Sequence, residues 1–132
     1  MKVLTIKEPY ATLIKEGIKK YEFRTWKTNY RGSLLIHAGK GKNTEEMERL
    51  KDLSLKYSCA EIIAKVNLTD CIEVTDYFRE VLKKENPLIY KHIIEDKTFK
   101  GYAFKLEGVE MIKPVKMNGK LSFWEYDLNV DK

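Results

Sequence analysis

Several features that define large classes of proteins are missing from this sequence. No apolar run approaches the roughly 20 residues of a membrane span, and the first residues lack the apolar core of a signal peptide. The chain has no internal repeat, linker or low-complexity tract, and no G-x-x-x-x-G-K-[ST] motif of a P-loop. We therefore expect a cytoplasmic protein that makes no contact with membrane and binds no nucleotide through a P-loop.

Cysteine and histidine, the usual ligands of zinc, are also scarce. The two cysteines, Cys59 and Cys71, form no CxxC motif, and no histidine is spaced to complete a zinc site. We expect two free thiols, buried or half-buried, in a reducing compartment, and neither a metal nor another cofactor. His37 lies in an apolar stretch, which is more typical of a hydrogen-bonded core histidine than of a catalytic one.

The size and charge of the chain favour one basic domain. The chain has 132 residues, of which 43% are hydrophobic. We expect residues 1–132 to form one domain whose core is large enough without disulfides or metals. The net charge is +5, but residues 1–42 carry +7 and residues 43–132 carry −2. A basic region of this kind attracts ligands that contain phosphate. The alternative is a lysine-rich surface that only keeps the protein soluble.

The hydrophobic pattern predicts the element order β-α-β-β-α-β-α-β-β. Most of the predicted strands alternate between apolar and polar residues, and short turns or single helices connect them. This pattern indicates an α+β domain with a small, mixed, mostly antiparallel sheet that curls into a barrel, with helices at its ends. The predicted strands cover residues 2–7, 20–26, 33–38, 59–72, 101–106 and 121–126, and residues 108–114 are irregular or strand. The predicted helices begin at Glu8-Pro9, Asn43 and Thr75 and end near Gly17, Tyr57 and Leu82, with a further turn or two within 88–94.

The strand predicted at 20–26 carries an unusual row of charges. Its residues alternate with a period of two, so one face can pack against a core. The core face consists of Tyr21, Phe23 and Thr25, and the other face of Lys20, Glu22, Arg24 and Trp26. An acid, two bases and an indole side by side suit a polar or anionic ligand.

The region around this strand resembles the ASCH domain, a member of the PUA-like superfamily. Gly17, Lys19, Glu22 and Arg24 meet the family signature G-x-K-x-x-E-x-R. The resemblance extends through flanking elements and is greatest for the C-terminal domain of the transcription cointegrator after which the family is named. These elements are Leu4-Thr5-Ile6, Glu8 to Ile14, Trp26-x-Thr28-x-x-Arg31-Gly32, Val66-x-Leu68-x-Asp70-Cys71 and Phe123 to Asp127.

The resemblance implies a PUA-like barrel of about five or six strands with flanking helices. It also implies a basic cleft that is lined by the signature residues and binds RNA or DNA. For this chain we expect an RNA- or nucleotide-binding domain, with transcription or RNA-related regulation as its candidate role. RNA or another single-stranded nucleic acid is the expected partner, and a modified nucleoside or a protein partner are alternatives.

The residue types suggest a role for each candidate in the cleft. Lys19 and Arg24 suit phosphate, and Glu22 either pairs with one of them or accepts from a base amino group. Trp26 either stacks a base or packs at the barrel rim. A Lys–Glu–Arg network that only orders the barrel mouth is the alternative for the three charged residues. The predicted nucleic-acid-binding set is Tyr10, Lys19, Glu22, Arg24, Trp26, Arg31 and Lys40, whereas Trp124 is assigned to the core.

A hydrolase is the alternative function. Amidohydrolases of this superfamily use the signature lysine and a threonine three residues later, where this chain has Glu22. The departure speaks against their chemistry on an acylated nucleoside. Glu22 could still act as a general base on water or on an RNA 2′-hydroxyl, with Lys19 as electrostatic stabiliser. We expect binding rather than catalysis.

Overall fold

The computed structural model describes residues 1–128 and contains six strands and four α-helices in that range. The strands are β1 (Lys2–Glu8), β2 (Tyr21–Arg24), β3 (Gly32–Lys42), β4 (Glu61–Glu73), β5 (Tyr102–Lys116) and β6 (Phe123–Glu125). The α-helices are α1 (Tyr10–Lys15), α2 (Thr44–Arg49), α3 (Asp76–Glu85) and α4 (Lys91–Glu95), and a 3₁₀ turn spans Lys51–Leu53. None of these helices is long and apolar enough to cross a membrane.

All six strands belong to one mixed sheet in the order β2-β5-β4-β3-β1-β6. Only the β1–β3 pair is parallel, and the four other pairs are antiparallel. The predicted α+β class, the mostly antiparallel sheet and the flanking helices are therefore confirmed. β2, which carries the signature, is an edge strand that pairs only with β5 among the described strands. An edge position leaves one side of β2 open to a ligand.

The expected closure into a barrel is wrong. The edge strands β2 and β6, of four and three residues, do not pair in the described sheet, because aromatic rings occupy the space between their backbones. Aromatic side chains span the gap instead. The ring of Trp26, just after β2, lies 5.1 Å from the ring of Phe123 in β6 and 5.1 Å from that of Phe104 in β5. Side-chain packing, not backbone hydrogen bonding, joins the two edges.

Several element boundaries also differ from those predicted. β3 continues through Gly39 and Gly41 to Lys42. The two glycines let it lie close to β1, since a side chain at either position would crowd Thr5 or Lys7. The stretches 101–106 and 108–114 form one 15-residue strand, β5, whose register against β4 shifts at three points. Conversely, α2 ends at Arg49, well before the predicted end at Tyr57.

The helices bury two cores against the sheet. α1 packs on one side of the sheet, where Ile14, Leu34 and Phe104 are fully buried. α3 and α4 form the second core with β2, and the buried guanidinium of Arg79 in α3 donates to the carbonyls of Ile93, Asp96 and Phe99. These three bonds fix α4 and the loop that follows it, and both border the cleft described below.

Predictions for four residues outside the charged row have clear outcomes. Trp124 is 7% exposed and lies in the core, as predicted. His37 is fully buried and its ring nitrogens contact Thr5 Oγ1 at 3.2 Å and the Met117 carbonyl at 2.7 Å. Both cysteines are free, but only Cys71 is half-buried. Cys59 is exposed, because it precedes β4 instead of lying within it.

Candidate nucleic-acid interface

The turn after α1 directs Lys19 into the protein. Gly17 has a φ of +74°, the left-handed conformation that glycine adopts most readily, and it ends the helix as predicted. The amides of Ile18 and Lys19 then both donate to the carbonyl of Leu13. This reversal brings the Lys19 side chain beneath the start of β2, where it is 2% exposed.

Lys19, Glu22 and Arg24 form a continuous set of ion pairs, which we call the buried ion triad. Lys19 Nζ lies 2.8 Å from Glu22 Oε1 and also donates to the Tyr21 carbonyl. Arg24 Nη2 donates to Glu22 Oε2 at 3.0 Å and to the Thr5 carbonyl at 2.9 Å. Each Glu22 oxygen therefore has its own cationic partner, so the acid pairs with both bases and not with one.

The electrostatics of the triad keep Glu22 ionised. Burial raises its pKa, but the charges of Lys19 and Arg24 outweigh this effect, and the pKa of Glu22 lies below its ordinary value. Burial lowers the pKa of Lys19, and the Glu22 carboxylate opposes that shift. The ammonium also lies 5.0 Å from the ring centre of Phe23 and 5.5 Å from that of Tyr10, both cation–π distances.

A cleft of about 770 Å³, which we call the signature cleft, opens beside the triad. It lies between the ends of β1 and β3, the edge strand β2 and helix α4 with its following loop. Its lining consists of Thr5, Lys7, Tyr10, Glu22, Phe23, Arg24, Thr25, Trp26, Gly39, Lys40, Gly41, Asn43, His92, Ile93, Asp96 and Phe99. The structure thus brings together five members of the predicted set: Tyr10, Glu22, Arg24, Trp26 and Lys40.

The two remaining members of the predicted set do not line this cleft. Lys19 lies behind the wall, and its ammonium is committed to Glu22 and a carbonyl. Arg31 lies in the turn before β3, where its guanidinium donates to the carbonyls of Thr28 and Tyr30 and lies 3.9 Å from Asp70. The position of Lys19 therefore does not fit direct contact with phosphate. The position of Arg31 does not fit a side chain that reaches into the cleft.

Aromatic rings form one wall of the signature cleft. The Phe23 ring makes edge contacts with His92 at 6.0 Å and Phe99 at 6.4 Å, and Tyr10 lies 5.1 Å from His92. Burial raises the pKa of Tyr10 to about 12, so its phenol is neutral and accepts a hydrogen bond from Asn43. Trp26 packs on other rings at the sheet edges, which is one of its two predicted roles, and it also lines the cleft, so base stacking stays a prediction.

The opposite lip of the cleft is cationic. Lys7 at the end of β1 and Lys40 near the end of β3 are both exposed. Neither forms an ion pair within residues 1–128. We call these two residues the rim lysines. Their free ammonium groups are available to an anionic ligand, in contrast to that of Lys19.

Sequence reasoning missed His92, which packs on Tyr10 and Phe23 in the aromatic wall. Burial lowers the pKa of His92 to about 4, with a smaller contribution from Lys19, so the imidazole is neutral at pH 7. Its Nδ1 is buried and has no hydrogen-bond partner in the described part of the chain. No spacing in the sequence relates α4 to a signature about 70 residues earlier. Lys7 was also missed, although the basic N-terminal third contains it.

Comparison with known proteins identifies the fold. Residues 4–117 match the model of the ASCH domain. The crystal structure of ASCH from Zymomonas mobilis has a TM-score of 0.63 at 15% identity, with 97% of this chain and 88% of that chain covered. A tyrosine-to-phenylalanine variant of the same protein has a TM-score of 0.61 at 15% identity, covering 96% and 90%. At this identity the likeness shows the fold alone. A search of curated proteins finds no match.

Proposed function

Because the chain belongs to the ASCH domain family, a PUA-like fold family often linked to RNA binding, we propose that it binds RNA or a nucleotide-like ligand in the signature cleft. The main support is that one cleft combines unpaired lysines with a wall of aromatic rings. Lysines attract phosphates, and aromatic rings stack bases with little regard to sequence. A role in transcription or RNA-related regulation follows from the likeness to the cointegrator domain and belongs to the same proposal.

Each side of the cleft has a distinct part in this proposal. The rim lysines, Lys7 and Lys40, hold phosphate. Phe23 and Trp26 give a base an apolar surface, and the half-buried Arg24 contributes its guanidinium from the cleft wall. Glu22 acts on the ligand through Arg24, because its Oε2 fixes the position of that guanidinium.

Fluorescence anisotropy with labelled single-stranded RNA, measured at several salt concentrations, tests the proposal. The double variant Lys7→Ala/Lys40→Ala should bind about tenfold more weakly at low salt, since it can no longer bind two of the phosphates. The slope of log K against log[salt] is negative, and its magnitude should decrease by about 0.7 for each phosphate that is no longer bound. No binding of RNA or nucleotide at low salt, or an affinity independent of salt, would contradict the proposal.

The matched control is Lys84→Ala/Lys113→Ala. These two lysines are also exposed, form no ion pair within the described chain, and line none of the three described cavities. The control removes the same number of positive charges, two, and should bind RNA almost as tightly as the wild type does. An equal drop in affinity in both double variants would indicate nonspecific attraction by net charge. Selective capture of a protein by the rim surface, without nucleic acid, would favour the alternative of a protein-interaction module.

The hydrolase alternative has less geometric support. A general base works best with a pKa near the working pH, whereas the pKa of Glu22 lies below its ordinary value and both its oxygens hold cations. Incubation with labelled RNA and with acylated nucleosides distinguishes the two functions. Turnover that Glu22→Gln abolishes, in a variant that still folds, would favour hydrolysis over binding.

A further inference from the structure

The signature cleft has a neighbouring cavity on each side. A cavity of about 560 Å³ shares Thr25 and Phe99 with it and extends to Lys97 and Lys100. A third cavity, of about 380 Å³, shares Thr5, Gly39 and Lys40 with it and extends to Lys120. The three cavities therefore follow one another along the surface, with the aromatic wall in the central one.

The lysines along this path share one property. Those in the three cavities are Lys7, Lys40, Lys97, Lys100 and Lys120, and all five are exposed. None of them forms an ion pair in the part of the chain that the structure describes. Exposed lysines without an ion pair in the described chain, such as Lys84 and Lys113, also lie elsewhere, so the five are set apart by their place in three adjoining cavities. The path thus has free cationic groups at both ends and in the middle.

Most acidic side chains on the path are already engaged. Glu22 belongs to the buried ion triad, and Asp76 lies 3.4 Å from a guanidinium nitrogen of Arg79. Asp96 accepts hydrogen bonds from the amide and hydroxyl of Thr98. The exposed Glu73 is the exception, because no ion pair engages it within residues 1–128. Hydrogen bonds leave the Asp96 carboxylate charged, so the balance rests on number: five lysines with Arg24 and Arg79 give seven positive groups against these four acids.

We propose that the ligand is a single strand of nucleic acid, several nucleotides long, that lies across all three cavities. One base occupies the signature cleft, and backbone phosphates lie on Lys120 at one end and on Lys97 and Lys100 at the other. This inference rests on the proposed function and specifies its ligand, since a mononucleotide would use the central cleft alone. A positive groove that follows the backbone, with aromatic rings for bases, is a general way to bind single strands.

A length series tests the proposal. Anisotropy or competition assays compare a uridine mononucleotide with oligouridylates of 2 to 16 nucleotides at one salt concentration, with DNA of the same lengths as a second arm. The affinity should rise steeply with length and reach a plateau within roughly 4–16 nucleotides, the range of comparable sites. Equal affinity for the mononucleotide and the longest strand would overturn the three-cavity proposal and leave the proposed function intact. Failure of both ligands to bind would reject the proposed function itself.

Variants at the ends of the path separate site geometry from total charge. In Lys97→Ala/Lys100→Ala the affinity should stop rising at a shorter length than in wild type, and the salt slope for the longest strand should fall by about 0.7 for each phosphate that is released. Lys120→Ala should show the same change with half the effect on the slope. The control Lys84→Ala/Lys113→Ala should keep the wild-type plateau. A plateau that stays at the wild-type length in both end variants would overturn the proposal.

Discussion

The buried ion triad and the rim lysines contribute to the same basic N-terminal third of the chain, yet the fold treats their charges in opposite ways. Lys19 is 2% exposed and paired with Glu22, whereas Lys7 and Lys40 are exposed and unpaired. A buried ammonium must be paired because desolvation is costly, and a solvated one need not be. The comparison teaches that Lys19 of the signature supports the cleft wall from behind, whereas Lys7 and Lys40, which lie outside the signature, keep their charges exposed at the cleft.

Breaking the triad at its centre should have the largest effect. Glu22→Gln leaves the buried ammonium of Lys19 without its carboxylate, so we expect the free energy of unfolding to fall by about 3–5 kcal/mol. Chemical denaturation at pH 7 measures this change. The control Glu80→Gln breaks the exposed pair with Lys83 and should cost less than about 1 kcal/mol. Similar small decreases in both variants would contradict the assigned role of the triad.

The histidine in the aromatic wall of the cleft should make stability depend on pH. The pKa of His92 is about 4 in the folded protein, below its ordinary value of about 6.5, so between these values the unfolded state binds more protons. The free energy of unfolding should therefore fall by up to about 3 kcal/mol as pH drops from 6.5 to 4. Comparing wild type with His92→Leu across this range isolates the contribution, which the variant should lack. Parallel pH curves would refute it.

A double-mutant cycle should show that Lys19 and Glu22 act as one unit. Lys19→Met leaves Glu22 paired with Arg24 alone, and Glu22→Gln leaves the Lys19 ammonium without a carboxylate, whereas the double variant removes both charges of the 2.8 Å pair. The decrease in unfolding free energy in the double variant should therefore be smaller than the sum of the two single decreases by about 1–3 kcal/mol. Denaturation of all four proteins under one condition gives this coupling. Additive decreases would indicate that the 2.8 Å ion pair carries little energy.

The rim lysines should show the smallest effect on stability. Lys7→Ala/Lys40→Ala should change the free energy of unfolding by less than about 0.5 kcal/mol, as is usual for exposed side chains without partners. The same variant should lose RNA affinity. Measuring both properties on one preparation completes the comparison with the triad. A large decrease in stability here would mean that the rim lysines also support the fold.

Local signals in the sequence were enough to predict most of the fold. Alternation located β1, β2 and β4, and residues typical of helix ends marked where helices start or stop. Gly17 adopts the left-handed conformation after α1, and Thr75 caps α3 by accepting from the amide of Phe78. These features depend on a few neighbouring residues, so sequence alone can reveal them. Closure of the barrel could not be predicted in this way, because it depends on how far two short edge strands lie apart.

The candidate site shows the same division. By itself the sequence determined that Glu22 would meet cations, since Lys19, Glu22 and Arg24 are close along the chain and two of them share a strand face. Only the tertiary structure decided which cations are buried, because that depends on Tyr10 and Phe23 covering Lys19. It also brought His92 to the cleft across about 70 residues. Periodicity shows which residues share a face, but distant segments decide whether that face meets solvent or protein.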